Sequence, residues 1–249
     1  MVHRGSAAMT GSEMTESEMT ESEMTGSEIG QRVALLLLNA GAIHISHQQP
    51  FILAAGWASP VYVDCRLLIA QPAILRAITA LSAAYFATAF PAGSLDAIAG
   101  AETGGIPFAT CLAEQCGLKL RYVRKRPLGI GRNAQVEGGP VEGLRLLLMD
   151  DLTTDGASKL AFVRGLRSAG AVVEHVLTIF YHNAFAGALE RLEQANLRLH
   201  ALATWTDVLQ GVAGERLAPQ ERAVIESFLA DPVAWSTRHG GRVARSARG

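Results

Sequence analysis

Two adjacent aspartates, Asp150 and Asp151, end the aliphatic run LRLLLM, and the small, hydroxyl-rich loop LTTDGAS follows them. Carboxylates accept hydrogen bonds or hold a hydrated cation, whereas a helix amino terminus offers unpaired N–H groups that favour an anion. Thr154 and Ser158 add hydroxyl donors, and Gly156 allows close approach of the backbone to a bound group. One side of such a site suits a phosphate, and the other suits vicinal hydroxyls or a metal. A ribose 5-phosphate carries both.

Competing readings of these residues are weaker. A Walker loop requires GxxxxGK[ST], and Lys159 stands in the wrong place for it. GIGRNA, residues 129–134, matches the dinucleotide pattern GxGxxA but follows a charged, proline-containing segment instead of a strand. A phospho-acceptor receiver domain would need a lysine further along, and none follows Lys159. An aspartate that merely caps a helix accounts for one carboxylate after the buried run, not for two.

Positioning this pair requires a sheet. Strand-like runs at LDAIAGA, LRYVRKR, LRLLLMDD, AVVEHVLTIFY and LHALATW alternate with helical stretches at 71–90, 106–117, 158–169 and 184–196. Such alternation predicts an α/β fold with a parallel sheet covered on both faces. Ligands in open parallel sheets sit outside the carboxyl ends of the strands, where Asp150 and Asp151 fall. Before this core, a helix is expected from Ile29 to about Gly41, followed by two short strands around Gly56 and Pro60. A last helix is expected at 219–229. The glycine-rich stretch 127–143 reads as irregular.

Composition narrows the class. Apolar residues make up 49% of 249, enough for a sizeable core, and a net charge of −1 gives no global attraction to nucleic acid or anionic membrane. Cys65, Cys111 and Cys116 lack metal-type spacing and read as reduced thiols, in keeping with a cytoplasmic protein. No signal peptide is expected, because the first residues lack an apolar segment. Residues 77–95 are uncharged throughout but include Pro91 and Gly93, so they read as a buried helix and turn, with no membrane partner. From Met9 to Glu28 a five-residue unit (MTGSE or MTESE) repeats four times. Residues 1–29 are therefore expected to be a disordered tail, 30–235 the folded domain, and 236–249 a flexible basic tail with Arg238, Arg242, Arg245 and Arg248. Nucleic acid is not an expected partner.

LLLMDDLTTDGAS resembles the phosphoribosyl pyrophosphate (PRPP) motif of the type I phosphoribosyltransferases. Three further stretches narrow the resemblance to orotate phosphoribosyltransferase: FILAAGWASPVYVDCR is similar to that family's amino-terminal hood, IAGAETGGIPFA to its second loop, and YVRKRPLGIGRNAQVEGG to its mobile loop. The resemblance runs from about residue 30 to 235, with a hood at about 30–68. It implies transfer of the phosphoribosyl group of PRPP to orotate, magnesium dependence, and a homodimer with shared active sites.

Carried over by residue, the resemblance implies that PRPP is bound by Arg124, Lys125, Asp150, Asp151, Leu152, Thr153, Thr154, Asp155, Gly156, Ala157 and Ser158. Arg124, Lys125, Asp150 and Asp151 would be catalytic. Orotate would meet Thr154, Tyr62, Val63 and His182, and Mg2+ would lie at Asp150 and Asp151 through water. The chain also departs from the pattern: Ala54, Gly104 and Leu128 stand where lysines are common, Ile130 replaces a histidine, and His182 falls where an arginine usually meets the orotate carboxylate. Asp155 is unexpected in a phosphate loop. A PRPP-binding regulator, or a phosphoribosyltransferase for another base, are the alternatives these departures raise.

Overall fold

The last copy of the amino-terminal repeat caps a helix. In the computed structural model, which describes residues 24–53, 56–127 and 135–241, Thr25 and Glu28 form a capping box. The Thr25 hydroxyl accepts from Glu28 N–H at 3.3 Å, while the Glu28 carboxylate accepts from Thr25 N–H at 2.8 Å. The helix α1 therefore runs Gly26–Asn39, and the expected tail boundary at residue 29 falls inside it. Its apolar face, Ile29, Val33, Ala34 and Leu37, is buried. Thr25→Ala is expected to lower stability by about 1 kcal/mol in urea denaturation, and a loss under about 0.3 kcal/mol would mean that packing alone fixes this end.

Next come β1 (Ile43–Ile45), β2 (Phe51–Ile52), β3 (Ala58–Ser59) and β4 (Val61–Val63). The sequence pattern did not suggest β1, which exists because its backbone pairs antiparallel with β4, His44 opposite Tyr62. A 3-10 turn at Cys65–Leu68 leads into α2 (Pro72–Ala89), which packs on α1 and buries Ile78, Leu81, Ser82 and Ala84.

The central sheet contains β5 (Ala97–Ala101), β6 (Lys119–Val123), β7 (Val136–Glu137), β8 (Arg145–Thr153), β9 (Val172–Tyr181) and β10 (Arg198–Thr204), in the order β10-β9-β8-β5-β6-β7. All neighbours are parallel except β6 and β7. The connecting helices are α3 (Gly105–Gln115), α4 (Ala157–Ser168) and α5 (Ala188–Glu193). The expected helix at 184–196 shortens to α5, because Asn183 and Gly187 adopt positive φ and hold the chain in a turn up to residue 187. β7 emerges from the stretch expected to be irregular, held by its antiparallel pairing with β6.

After β10, α6 (Trp205–Leu209), α7 (Gly211–Glu215), α8 (Pro219–Ala230) and α9 (Pro232–Arg238) complete the described chain. The expected tail from residue 236 begins inside α9. Ser236 is buried and its Oγ accepts from Ala58 N–H at 2.9 Å. Residues 1–23, Ala54, Leu128, Ile130, Arg132, Arg242, Arg245 and Arg248 lie outside the described residues.

β8 is the axis of the molecule. Leu147 and Met149 enter the core shared with α1, α2 and α3, while Leu146 and Leu148 enter the core under α4. All four are fully buried, and each such side chain contributes roughly 1.5–3 kcal/mol. This central burial fixes where the strand's carboxyl end emerges.

Candidate active site

The acidic pair lies within β8, two to three residues before its end. Asp150 is buried and forms an ion pair with the equally buried Lys159, whose Nζ also donates to the Leu152 carbonyl at 2.6 Å and to Ser158 Oγ at 3.2 Å. Lys159 thus ties the strand end to the first turn of α4. The other Asp150 oxygen, Oδ1, accepts from Asp151 N–H at 2.9 Å. Burial and the neighbouring Asp150 carboxylate push the Asp151 carboxyl up to about 7.

Asp151 faces the turn before α3. A Cβ at Gly104 would fall 2.5 Å from Asp151 Cγ, and one at Gly105 would collide with the Met149 carbonyl and lie 2.8 Å from Asp150 Cα. Two glycines are therefore required where this loop crosses the acidic strand. A lysine at 104, which the family resemblance leads one to expect, would put its Cβ against the Asp151 carboxylate.

Gly156, at φ +76°, turns the loop into α4, and Thr154 and Ser158 flank that turn. Thr153 is buried and its Oγ1 has no partner. Asp155 turns its carboxylate onto the helix instead of away from it: Oδ1 accepts from Ala157 N–H at 3.1 Å, and its carbonyl accepts from Arg191 Nη1 at 2.6 Å. One of the expected anion donors is thus occupied.

The basic pair follows β6. Arg124 Nε lies 3.2 Å from Glu137, Nη1 lies 3.7 Å from Glu102, and Nη2 donates to Tyr122 OH at 3.2 Å. Lys125 N–H donates to Glu102 Oε2 at 2.7 Å. Glu102 therefore connects the loop beside Asp151 to the basic segment, which brings Arg124 and Lys125 to the same end of the sheet as the acidic pair.

Tyr62 and Val63 lie on β4. Val63 is buried, while Tyr62 is half-buried and packs between His44 and Phe51, with ring centroids 6.1 and 5.7 Å away. His182, just past β9, is fully buried against Phe180 and Trp205. Its Nδ1 accepts from Trp205 Nε1 at 3.1 Å, so the ring proton resides on Nε2, which finds no acceptor. Burial pushes the His182 pKa down to about 4, and the ring is neutral at neutral pH. It cannot supply the positive charge that the family resemblance leads one to expect at this position.

Sequence reasoning overlooked Lys159, Glu102, Glu137, Arg66 and Trp205 as parts of this region. Lys159 carried one signal: it is among only three lysines and stands in the first turn of an otherwise apolar-faced helix. Among the described residues, cavities of about 720 and 530 Å3 lie away from the acidic pair, one beside Pro127 and residues 135–142 and the other beside Leu192, Glu193 and residues 196–199.

A parallel sheet with an acidic strand end, a hydroxyl-rich turn into a helix and a facing glycine loop defines a phosphoribosyltransferase. The family model for the phosphoribosyl transferase domain matches residues 68–191. The orotate phosphoribosyltransferase of Sinorhizobium fredii is 43% identical over 215 residues, 86% of this chain and 92% of that protein. That of Cereibacter sphaeroides is 45% identical, covering 83% and 90%. The crystal structure of orotate phosphoribosyltransferase from Aeropyrum pernix superposes with a TM-score of 0.61 at 30% identity, over 71% of this chain and 96% of that one. The chain belongs to the orotate phosphoribosyltransferase family.

Proposed function

We propose that this protein transfers the phosphoribosyl group of PRPP to orotate, yielding orotidine 5′-monophosphate and pyrophosphate in pyrimidine biosynthesis. The observation that carries the reading is the continuous strand–turn–helix from Asp150 to Lys159, set in a chain similar to orotate phosphoribosyltransferases along nearly their whole length. A ring nitrogen of the base forms a bond to the anomeric carbon while the bond to pyrophosphate breaks, with its electron pair leaving on pyrophosphate.

Each residue role follows from that charge flow. Asp150 and Asp151 hold the ribose hydroxyls, and the turn at 153–158 holds the 5-phosphate, with Asp155 giving up Ala157 N–H to it. Arg124 and Lys125 meet the charge that builds on pyrophosphate. A single donor of this kind is worth ~3 kcal/mol, about a hundredfold in rate.

Magnesium fits this site as a hydrated ion. Asp150 has one oxygen engaged by Lys159 and the other by Asp151 N–H, and no cluster of three or more metal-type side chains exists among the described residues, so a cation would rest on the acidic pair through water and on oxygens of PRPP. When bound, it would supply positive charge to the leaving group. A homodimer that shares its active sites and a cytoplasmic location belong to the same reading.

Ultraviolet absorbance of orotate tests it directly. Orotate should disappear only when both PRPP and magnesium are present. Tight PRPP binding by calorimetry without orotate loss would instead establish a PRPP sensor or another acceptor base.

A further inference from the structure

A carboxylate on the acceptor base needs a cation, and the residue at the usual place, His182, is buried and neutral. The hood supplies another. Arg66 lies in the 3-10 turn after β4, with more than half of its side chain exposed. Asp64 grips one edge of its guanidinium: Nε donates to Oδ1 at 2.6 Å and Nη2 to Oδ2 at 2.9 Å. Nη2 also donates to Tyr62 OH at 3.1 Å. Of the five N–H donors of an arginine, the two on Nη1 are left without a protein acceptor among the described residues.

The turn also lies over the acidic pair. It packs on β8, and the Asp151 carboxylate adds to the stabilisation of the Arg66 charge. Burial, and after it the charges of Asp151, Asp64 and Asp150, push the thiol of Cys65 up. Arg66 is thus a clamped, partly open guanidinium bonded to Asp64 and Tyr62, on a turn that packs against the acidic strand β8. Arginine so held meets a carboxylate with planar, directed hydrogen bonds.

We propose that Arg66 is the specificity-determining residue that receives the orotate carboxylate, with Tyr62 beside it and Asp64 as its positioning residue. This inference rests on orotate being the acceptor. It locates recognition of the carboxylate in the hood instead of at the end of β9.

The test compares orotate with uracil, which lacks the carboxylate, as acceptors for the parental protein and for Arg66→Gln and Arg66→Lys. Arg66→Gln should raise KM for orotate by about tenfold or more and lower the orotate-over-uracil preference in kcat/KM by at least about tenfold, with KM for PRPP within about twofold. Arg66→Lys, which keeps a charge on Asp64 and so guards against a folding failure, should fall between the two. A rise in KM for PRPP instead would overturn the inference and assign Arg66 to pyrophosphate. Unchanged discrimination, or equal losses on both bases with a lowered melting temperature, would overturn it in favour of a role in holding the hood. Failure of the parental protein to consume orotate would sink the underlying reading as well, a result distinguishable from the others before any variant is made.

Discussion

Lys159→Met is expected to destabilise the protein by about 3–5 kcal/mol, the cost of breaking a buried ion pair by removing one partner. The side chains of Asp150 and Lys159 are 8% and 3% exposed, so bulk water and salt compensate only weakly for the lost partner. Methionine fills much of the lysine stem's volume, which leaves the uncompensated Asp150 carboxylate and the abandoned Leu152 carbonyl as the main penalties. Urea denaturation of the apo protein measures the loss. The double variant Asp150→Asn with Lys159→Met removes the charge as well as its partner, and it should recover at least about half of the lost stability. A single variant within about 0.5 kcal/mol of the parent would show that the pair is open to solvent, contrary to its burial. The pair matters for function because Lys159 fixes the angle at which α4 leaves the strand, and with it the shape of the turn at 153–158.

The frame of this molecule was legible in the sequence where burial writes a strong pattern. The apolar runs of β5, of LLLM in β8 and of VLTIFY in β9 could hardly be anything but interior strands, and the helical stretches expected to end at 117 and 169 do end just before Gly117 and Gly170, both of positive φ. What escaped notice depends on partners distant in the chain. β1 is three residues long and becomes a strand only by pairing with β4. Thr25 was read as one more unit of a polar repeat, although only this copy precedes an apolar helical run and can act as a cap.

The site divides in the same way. The Asp150–Ser158 turn is contiguous, so its chemistry shows in the letters. Lys159 gains its role only when α4 folds back onto β8, and Arg66 only when the hood turn packs over Asp151. His182 was singled out because of the position it occupies, yet its neutral state comes from Trp205 and from burial, which no local pattern announces.

Gly104→Lys would install the lysine that the family resemblance leads one to expect at this position, and it is expected to lower kcat/KM by about a hundredfold or more. The reason is steric. The new Cβ would lie 2.5 Å from Asp151 Cγ and 2.8 Å from Asp151 Oδ1, so either the loop or the carboxylate must move. A backbone shift is resisted at Gly105, where there is no room even for a Cβ beside the Met149 carbonyl and the Asp150 backbone, and by Glu102, which is tied to Lys125 N–H and faces Arg124. Asp151 is therefore the group displaced, and the ribose hydroxyls lose a partner. The added ammonium could also pair with Asp151, turning a ligand-binding carboxylate into a structural one. Gly104→Ala separates these effects, because it introduces the clash without the charge. If alanine costs nearly as much as lysine, the geometry at Asp151 decides the rate. If alanine is benign and lysine raises activity, the loop is more pliant than its contacts indicate, and the missing family cation has been limiting turnover.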